Sequence, residues 1–513
     1  MKTKILFVAG MAFAASSAFA QETYENANLV ENELNGTARY VGMGGAMDAL
    51  GADISTIGTN PAGIGMFRKS QIAGSFGLVS QEEVESFSPG NKTNMSFDQI
   101  GFVYSTRTGR KSFLNFGFNY HKSRNFDQIL SASSRLTNAS QNKLTYQKLR
   151  EGLLYELDDN GLPREDRAMI THNQLDNIYY KSLIKDADGN FGYYDASGYT
   201  FNKAMRGYIG EYDLNISGNL NDQVYLGLTV GIHDVHYKGY SEYTETLMPN
   251  RDNISNLTVV DNREITGTGY DLKVGAIFRP VEDSPFRIGV SVATPTWYDL
   301  TTSNYTYITD GNISPNMNES YDFKLYTPWK FGLSLGHTIG NYLAIGAGYE
   351  YADYSAMDTR VIDGDYYDSS SSDKAMNRHT EQTLKGVSTV KLGLEFKPDP
   401  TIAVRFGYNY VSPMYKKDGF KNGTISSEGS YYASSTDYVN WESTNRITCG
   451  IGYTVGKMNL DVAYQYSSQN GEFHPFLDSY ADWADDPNFT NYADAVKVSN
   501  KRHQLIFTLG YKF

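Results

Sequence analysis

Three short motifs hold the residues that could most readily do chemistry in this chain. Residues 332–336 read GLSLG, the G-x-S-x-G pattern of serine hydrolases, and His337 follows them directly. Residues 233–236 read HDVH, which could bind a metal ion or haem. Residues 186–190 read DADGN and resemble part of a calcium-binding loop. Each motif raises a hypothesis that its surroundings must support.

None of the three motifs is complete. The hydrolase serine needs a sharp strand-to-helix turn, whereas Ser334 lies inside an alternating strand, and its spacing from His337 does not ensure contact. Residues 233–236 supply two histidines without further ligands, and residues 186–190 lack the distal bidentate Glu. We therefore predict that the chain is not an enzyme, binds no metal and needs no cofactor. A haem-binding barrel is kept as an alternative.

Charge and export signals restrict the partners and the compartment. The chain of 513 residues has 45 Lys and Arg against 58 Asp and Glu, and this acidity argues against nucleic acid as a partner. Lys2 and Lys4 precede an apolar run that ends in Ala-Phe-Ala at residues 18–20, which is typical of a secretory signal peptide over residues 1–20. The single cysteine, Cys449, excludes an internal disulfide.

The element that recurs after this signal is a strand with two different faces. The C-terminal strand shows it most clearly, because one face is large and apolar while the other carries small or polar residues. Its apolar face consists of Leu505, Phe507, Leu509, Tyr511 and Phe513. Counting such runs gives roughly fourteen strands, which begin near Gln71, Phe97, Phe113, Tyr208, Val224, Gly269, Phe286, Tyr321, Tyr342, Lys385, Thr401, Glu442, Met458 and Gln504.

The connections alternate in length. Short turns follow even-numbered strands, as at 219–222, 339–341, 397–400 and 455–457, and long polar segments follow odd-numbered strands. Short periplasmic turns opposite long extracellular loops are typical of outer-membrane barrels, and a soluble β-sandwich has no need of this pattern. Because an open sheet edge cannot face lipid, the first and last strands must pair. We predict an all-β fold, a fourteen-stranded antiparallel transmembrane β-barrel over residues 71–513, in the bacterial outer membrane.

The segment before the first strand carries a more specific pattern. Residues 36–39 (GTAR), 42–46 (GMGGA) and 59–63 (TNPAG) resemble the N-terminal hatch of the outer-membrane long-chain fatty-acid transporter family, known as FadL-like. Further matches to that family are residues 269–275, 279–280, 287–289, 294–295 and 327–330, with the aromatic C-terminal Phe513. The resemblance spans nearly the whole chain after the signal, although the long loops match no motif.

The resemblance implies a small helical hatch over residues 21–70 inside the barrel. Small residues allow close packing there, and an Asn-Pro pair can begin a helix. The expected gating residues are Gly42, Gly44, Gly45, Asn60, Pro61 and Ala62. A periplasmic tail with an ordinary Asn-Pro turn is the alternative. The resemblance also implies that Phe513 is the signal recognised by the barrel assembly machinery.

Candidates for ligand contact lie in the longest loop and on the inner wall. The interval 121–206 contains a partly amphipathic stretch, where we expect Leu149, Leu153 and Tyr155 to meet the ligand first; a packed cap without a ligand is the alternative. A carboxylate ligand needs a cation in the lumen, and six cations face inward: Arg405 and Lys391, which are preferred, and Lys273, Arg287, Lys330 and Arg446. The alternative for all six is pairing with inward acids such as Asp213, Asp271, Glu395 and Asp461.

The resemblance implies passive uptake of small hydrophobic molecules, with long-chain fatty acids as the leading substrate class. In the family, the ligand binds among the extracellular loops, enters the lumen and leaves sideways through the wall as the hatch shifts. The expected partners are this ligand, outer-membrane lipid and lipopolysaccharide, and the assembly machinery, with the chain itself as a monomer. A general pore or a surface-adhesion barrel with an unplugged lumen stays open as the alternative function.

Overall fold

The chain folds into one closed β-barrel. The computed structural model describes residues 23–186, 188–250, 252–281, 284–310, 316–362, 369–480 and 490–513. Within these residues, nineteen hydrogen-bonded strand segments make one sheet that closes into a barrel of fourteen antiparallel spans. The predicted all-β barrel is therefore confirmed. The predicted signal peptide over residues 1–20 lies outside the described residues, as does Ala187 of the DADGN motif.

The strand segments follow the alternating runs of the sequence. The first half of the chain contains β1 Gln71–Gln81, β2 Thr93–Arg107, β3 Phe113–Asn125, β4 Gln128–Ala139, β5 Tyr155–Leu157, β6 Pro163–Ala168, β7 Ala196–Leu220, β8 Val224–Leu247 and β9 Asn256–Phe278. The second half contains β10 Arg287–Ala293, β11 Trp297–Thr309, β12 Asn316–Tyr326, β13 Lys330–Ile339, β14 Leu343–Asp353, β15 Asp358–Ile362, β16 Ser370–Ser372, β17 Gly386–Asp399, β18 Ile402–Val411, β19 Tyr438–Val455, β20 Met458–His474, β21 Ser479–Tyr480, β22 Thr490–Asn491 and β23 Val496–Lys512.

Helices occupy the N-terminal segment and the loops. They are α1 Thr23–Val30, α2 Ala38–Gly42, α3 Gln141–Arg150, α4 Gln174–Tyr179, α5 Lys374–Thr383 and α6 Glu428–Tyr431. Shorter helical turns lie at Ile54–Gly58, Pro61–Met66, Tyr180–Ile184 and Tyr354–Ala356. None of the described helices has both the length and the apolar character needed to cross a membrane.

The barrel closes by pairing its first and last strands. β1 and β23 are antiparallel neighbours from Gln71 opposite Lys512 to Gln81 opposite Arg502. Four spans consist of two successive segments, namely β3 with β4, β10 with β11, β12 with β13, and β14 with β15. Closure leaves no long edge of unpaired backbone groups, which a strand facing lipid could not satisfy.

The two ends of the barrel differ as the connection lengths predict. At one end, here called the turn end, short connections join β2 to β3, β7 to β8, β13 to β14, β17 to β18 and β19 to β20. At the opposite end, here called the loop end, the longest connection runs from β4 through α3 and α4 to β7. The outer surface between the two ends is apolar: Phe76, Leu214 and Phe406 are all more than half exposed. Cys449 is exposed there between Ile447 and Ile451.

Several strands extend further toward the loop end than their alternation predicts. β7 begins at Ala196 instead of Tyr208, and β9 begins at Asn256 instead of Gly269. The longest connection is correspondingly shorter than the predicted interval 121–206. Beyond the apolar outer band both faces of a strand carry polar residues, so the alternation fades. Backbone pairing with the neighbouring strands nevertheless continues.

The wall is interrupted where three neighbouring spans leave the regular ladder together. The interruptions are residues 294–296 between β10 and β11, residues 327–329 between β12 and β13, and residues 354–357 between β14 and β15. They are in register, since Trp297 pairs with Tyr326 on one side and Ala293 pairs with Lys330 on the other. Proline contributes to two of the three breaks because it has no backbone N–H for the ladder. These residues are called the wall gap below.

The N-terminal segment, residues 23–70, lies in the barrel lumen and is called the plug below. From the loop end it descends through α1 and α2 and two short helical turns, and it joins β1 at the turn end. The core of its lower part includes Tyr40, Met43 and Met47, which are almost fully buried, together with Ile506 of β23. The barrel interior is therefore a packed interface between plug and wall.

Candidate functional site

The plug lies against a row of inward-facing glycines. Gly336, Gly346, Gly393 and Gly407 are direct cross-strand neighbours on β13, β14, β17 and β18. A Cβ atom on Gly346, Gly393 or Gly407 would lie closer than 3.0 Å to backbone atoms of plug residues 43–46. These four residues, called the glycine row, give the plug backbone room to contact the wall.

Two of the three predicted plug glycines, Gly42 and Gly44, lie against the wall. Gly44 and Gly45 have φ angles of +61° and +77°, a backbone conformation that favours glycine. A Cβ on Gly44 would meet the backbone of Tyr408, and one on Gly42 would come within 3.4 Å of Gly450. Gly42 and Gly44 thus shape the plug surface where it meets β18 and β19, whereas a Cβ on Gly45 would meet Leu34 and Tyr40 within the plug. The role of the three glycines in gating stays a prediction.

The Asn-Pro-Ala triplet docks on the opposite side of the barrel. Asn60 caps the helical turn that begins at Pro61, because its side chain accepts a hydrogen bond from the N–H of Ala62. The Ser217 hydroxyl donates to the Pro61 carbonyl over 2.8 Å, and Asn115 Nδ2 donates to the Ile64 carbonyl over 2.7 Å. β7 therefore holds the triplet at Pro61, and β3 holds the helical turn that the triplet begins.

Ion pairs also tie the plug to the wall, and one of them belongs to a larger network. Arg39 of α2 donates two hydrogen bonds to Glu395, at 3.0 and 3.1 Å. Glu395 also pairs with Arg405 at 2.7 Å, and Arg405 reaches Asp461 at 2.6 Å. Because these groups are largely buried, breaking one partner would leave an uncompensated charge.

Both cations preferred for ligand binding are already paired. Arg405 belongs to the network with Glu395 and Asp461, and Lys391 lies 3.2 Å from Asp48 of the plug and 3.5 Å from Glu350. Neither offers an uncompensated positive charge in this arrangement. Arg405 therefore pairs with inward acids of nearby strands, as the alternative interpretation predicts. Lys391 instead joins the wall to the plug.

Three of the six inward cations behave differently. Among the described residues, Arg287, Lys330 and Arg446 have no carboxylate oxygen within 4.0 Å. Arg287 donates to the Leu50 carbonyl, and Arg446 donates to Asn409 Oδ1 over 2.9 Å. Lys330 and Arg446 both line a central cavity of about 130 Å³ between plug and wall. The carboxylates of Glu31, Glu33 and Glu350 line the same cavity, but none of them lies within 4.0 Å of Lys330 or Arg446.

The central cavity extends to the wall gap. Its lining includes Ser291 and Ala293 on β10, Thr294 and Thr327 in the gap, and Phe331 on β13. Phe331 also faces outward, with 51 % of its surface exposed. The cavity thus reaches the part of the wall where the regular strand ladder is broken.

Above the cavity, α1 occupies an apolar chamber. Tyr24, Ala27, Leu29 and Val30 are buried against side chains of the upper wall and the loops. The wall contribution includes Ile209, Val235, Leu300, Phe323, Leu325 and Val387. The chamber lies between the loops and the cavity, and it holds a segment of this chain. Polar contacts also hold α1 there, since Glu25 pairs with Arg263 at 2.7 Å and Asn26 donates to Thr359 over 2.9 Å.

The loop residues predicted to meet ligand first belong to a packed cap. Leu149 and Tyr155 are buried, and Leu153 is partly exposed. Tyr155 packs against the His172 ring at 4.7 Å between centroids, and burial lowers the pKa of His172 to about 4, which keeps this ring neutral near pH 7. Leu149 and Tyr155 therefore belong to a packed cap, which was the alternative to a ligand contact. Exposed apolar side chains of the same loop are Leu162, Met169 and Ile170.

The apparent catalytic and haem motifs divide between the two faces of the wall. Ser334 is buried on the inner face, whereas His337 is three residues further along β13 and so points to the opposite face. His233 is buried inside, while His236 pairs with Asp234 and has a side chain that is 44 % exposed. Neither motif brings its two residues together. Phe513 is exposed at the turn end, where its N–H donates to the Ser70 carbonyl.

Comparisons with known proteins identify this architecture. No protein-family model matches the sequence, and no curated protein matches it. A Pseudomonas aeruginosa FadL homologue of known structure superposes with a TM-score of 0.52 at 12 % identity, over 94 % of this chain and 99 % of that one. The chain has the FadL-like fold. The fold expected from the sequence motifs is thus confirmed.

Two further solved structures share the fold at similar levels. A deltaS2 mutant of the TodX monoaromatic hydrocarbon channel has a TM-score of 0.51 at 11 % identity, over 94 % of this chain and 100 % of that one. The CymD monoaromatic hydrocarbon channel has a TM-score of 0.50 at 10 % identity, over 94 % and 99 %. At these identities the likeness shows the fold alone.

The sequence reading missed two sets of inward-facing residues. One is the glycine row, whose members each stand at a small position of an ordinary alternating strand. The other comprises His121 and Glu211, which face each other from β3 and β7. Both residues continue the inward-facing positions of their strands just beyond the apolar stretch. Following the alternation one or two residues further would have identified His121 and Glu211 as inward-facing.

Proposed function

We propose that this chain is a passive outer-membrane channel for small hydrophobic molecules. The observation that carries the proposal is the continuous series of an apolar chamber, a plugged central cavity and a wall gap. A plugged barrel opposes free flow of water and ions, whereas a sideways exit suits a molecule that prefers the membrane interior to water. The solved relatives described as FadL homologue or monoaromatic hydrocarbon channel support the same class of cargo.

The proposed path has three steps. The exposed apolar side chains of the cap give the cargo its first contact, and the chamber now filled by α1 receives it next. Displacement of α1 then opens the way to the central cavity, and the cargo leaves through the wall gap into the membrane. The rest of the plug remains docked on the wall during this passage, through its contact with the glycine row and through the ion pairs of Arg39 and Asp48.

Long-chain fatty acids are the proposed substrate class, and uncharged aromatic hydrocarbons are the second candidate. Lys330 and Arg446 favour the first, because a carboxylate crossing the cavity would meet two cations without carboxylate partners of their own. Lys330 begins β13 at the wall gap, and Arg446 lies on β19 across the cavity. A charge-assisted hydrogen bond to either side chain would hold the head group while the apolar tail follows.

The remaining proposals concern the surroundings of the barrel. The apolar outer band would contact outer-membrane lipid, and the loop end would face the lipopolysaccharide leaflet and the exterior. Phe513, exposed at the turn end, is the proposed signal for the barrel assembly machinery. The chain would act as a monomer, because its path lies within one barrel.

Uptake and conductance together test this function. The full chain is expressed in a host strain without its own hydrophobic-compound channel, and uptake of radiolabelled oleate and toluene is measured. Single-channel conductance of the purified protein is recorded in planar bilayers. We expect faster uptake of at least one compound with no large steady ion current. A large steady current without hydrophobe uptake would establish the general pore instead.

The two cavity cations should distinguish the substrate classes. We expect Lys330→Gln with Arg446→Gln to reduce oleate uptake by about tenfold, the scale of a lost hydrogen bond to a charged group. Toluene uptake should not change, because toluene has no charged group. Lys238→Gln on the outer face of β8, where the Lys238 side chain is 56 % exposed, is the matched control. Equal loss of both uptakes would contradict a role in carboxylate binding.

A further inference from the structure

A cluster of ionisable side chains lies on the inner wall beside the plug. His121, Glu211 and His233 are direct cross-strand neighbours on β3, β7 and β8. Asp213 lies on β7 two residues from Glu211, and Asp271 lies on β9; both are in register with Gly231 of β8, which is two residues from His233. Glu211, Asp213, His233 and Asp271 are each at most 5 % exposed. The strand register therefore concentrates three carboxylates and two imidazoles in one buried place.

The carboxylates of this cluster have two different sides. On one side Lys273 contacts one oxygen of each, namely Glu211 Oε1, Asp213 Oδ1 at 3.0 Å and Asp271 Oδ1 at 3.2 Å. On the other side the second oxygens face the histidines. Glu211 Oε2 lies 3.5 Å from His121 Nε2 and 3.8 Å from His233 Nδ1, and Asp213 Oδ2 lies 3.5 Å from His121 Nδ1.

Two atoms on the histidine side are buried without a hydrogen-bond partner among the described residues. They are His233 Nδ1 and Asp213 Oδ2. Asp271 Oδ2 lies 3.0 Å from His233 Nε2, so a neutral His233 that donates from Nε2 presents the lone pair of Nδ1 toward Glu211. A metal-binding histidine is commonly held in this way by a carboxylate on its other nitrogen.

Charge also leaves room for a cation. Metal binding requires the carboxylates to be ionised and the histidines neutral, and in that form the three carboxylates and Lys273 sum to −2, which a divalent ion would balance. Candidate ligand atoms of His121, Glu211 and Asp213 all lie within 4.8 Å of one another, as do those of Glu211, His233 and Asp271. Ligand atoms around a metal at about 2.1 Å are roughly 3 to 3.5 Å apart, so small side-chain rotations bring these donors to bonding distance.

We propose that this cluster is a binding site for a divalent first-row transition-metal cation. His121, Glu211 and Asp213 are the core ligands, His233 is a further ligand through Nδ1, and Asp271 orients His233. A mixture of imidazole and carboxylate donors suits zinc, cobalt or iron better than calcium or magnesium, which prefer oxygen alone. This reverses the expectation from sequence that the chain binds no metal, and it does not depend on the proposed transport function.

The position of the site gives the cation a structural role. Its ligands come from three adjacent wall strands, and Gly58 of the plug lies directly against it, since a Cβ there would meet His121 Cε1 at 3.3 Å and Asp213 Oδ2 at 3.5 Å. A bound cation therefore links β3, β7 and β8 where the plug packs on them. Binding to the folded state alone would raise the unfolding temperature of the barrel.

Cobalt titration of the purified full chain tests the site. The protein is stripped with EDTA, transferred to buffer without chelator and titrated with Co²⁺, whose visible absorption reports imidazole and carboxylate coordination. We expect saturation at one cation per chain and a higher unfolding temperature with Zn²⁺. His121→Ala with His233→Ala should abolish both effects, and Asp271→Asn should weaken binding by about 10- to 100-fold.

Controls separate a site from general metal affinity. His236→Ala removes a histidine from the same strand on its outer face and should leave Co²⁺ binding unchanged. Heat-dependent gel mobility verifies that every variant still forms the barrel. Should the double histidine variant fail this check, Glu211→Gln replaces it. If wild type binds no more Co²⁺ than the folded variants that lack His121 and His233, or Glu211, the proposal is wrong.

Discussion

Replacing Gly393 and Gly407 by valine should convert the closed barrel into an ion-conducting pore. Both glycines belong to the glycine row, and a Cβ on either would lie closer than 3.0 Å to the plug backbone. Because valine suits a strand, the barrel itself should tolerate the change. The plug segment over residues 43–46 must then move away from β17 and β18, since overpacking at a backbone contact cannot be relieved by side-chain rotation.

The expected effect is large because the plug lies in the lumen. A barrel of this strand number without its plug has a wide polar interior. We expect single-channel conductance in planar bilayers to rise about tenfold or more above the wild-type value, as water replaces the displaced segment. Loss of the plug contact would also free Asp48 from Lys391, which widens the path further.

A third glycine provides the matched control. Gly218 on β7 has no atom within 4 Å of the position that a Cβ would take, so Gly218→Val introduces the same side chain without touching the plug. Its conductance should equal that of wild type. If the double variant folds, as shown by heat-dependent gel mobility, and still conducts no better than Gly218→Val, the glycine row does not hold the plug closed.

The ends of the strands show how far the sequence determines the fold. Strands that start at the turn end were predicted within one residue, as at Gln71, Val224 and Met458. There the apolar alternation runs directly into a short turn, so the alternation and the turn residues indicate the same strand boundary. At the loop end the predicted starts fall short, by twelve residues for β7. Those extensions depend on pairing between strands, which no single strand encodes.

The candidate site was less predictable than the fold, for a physical reason. Parity along a strand identified Lys273, Arg405, Asp213 and Asp461 as inward, and the structure places all four in buried ion pairs. Which cation pairs with which acid depends on register and on the plug. Lys391 illustrates this, because its partner Asp48 comes from a segment more than three hundred residues away in sequence.

The plug motifs show a second limit. Asn60 and Pro61 form the cap and helix start that their residue types favour. Nothing local in the motif indicates that Ser217 and Asn115 of the wall hold it in place. The wall gap is similar: its Thr-Pro pairs were recognised as motifs, but the coincidence of breaks in neighbouring spans arises from their register.

Closing the wall gap with a disulfide should stop transport while leaving the barrel intact. Thr296 and Thr327 lie in the gap, next to the aligned pair Trp297 and Tyr326. The Thr327 N–H donates to the Thr296 carbonyl over 3.1 Å, and the Thr296 N–H donates to Thr327 Oγ1 over 2.8 Å. Residues opposed in this way on antiparallel strands have Cα atoms about 4.5 to 5.5 Å apart, within the span of a disulfide. Cysteines at both positions should therefore link the two spans on oxidation.

Because the chain has a single native cysteine, one substitution removes every competing thiol. In a Cys449→Ala background, Thr296→Cys with Thr327→Cys has no third thiol to react with. We expect uptake of oleate or toluene to fall to the level of cells without the channel after oxidation, and to return after reduction. Reversal by the reductant separates closure of the gap from damage to the barrel.

A second cysteine pair separates closure of the gap from stiffening of the wall. Thr244 and Thr258 oppose each other on β8 and β9 with hydroxyl oxygens 2.9 Å apart, at the loop end and away from the gap. A disulfide there constrains two neighbouring spans in the same way but leaves the gap free, so uptake should persist. If oxidation of the gap pair is complete and uptake continues, the cargo does not leave through this gap. A route along the barrel axis past the plug would then be favoured, and the glycine row variants would increase hydrophobe uptake together with ion flow.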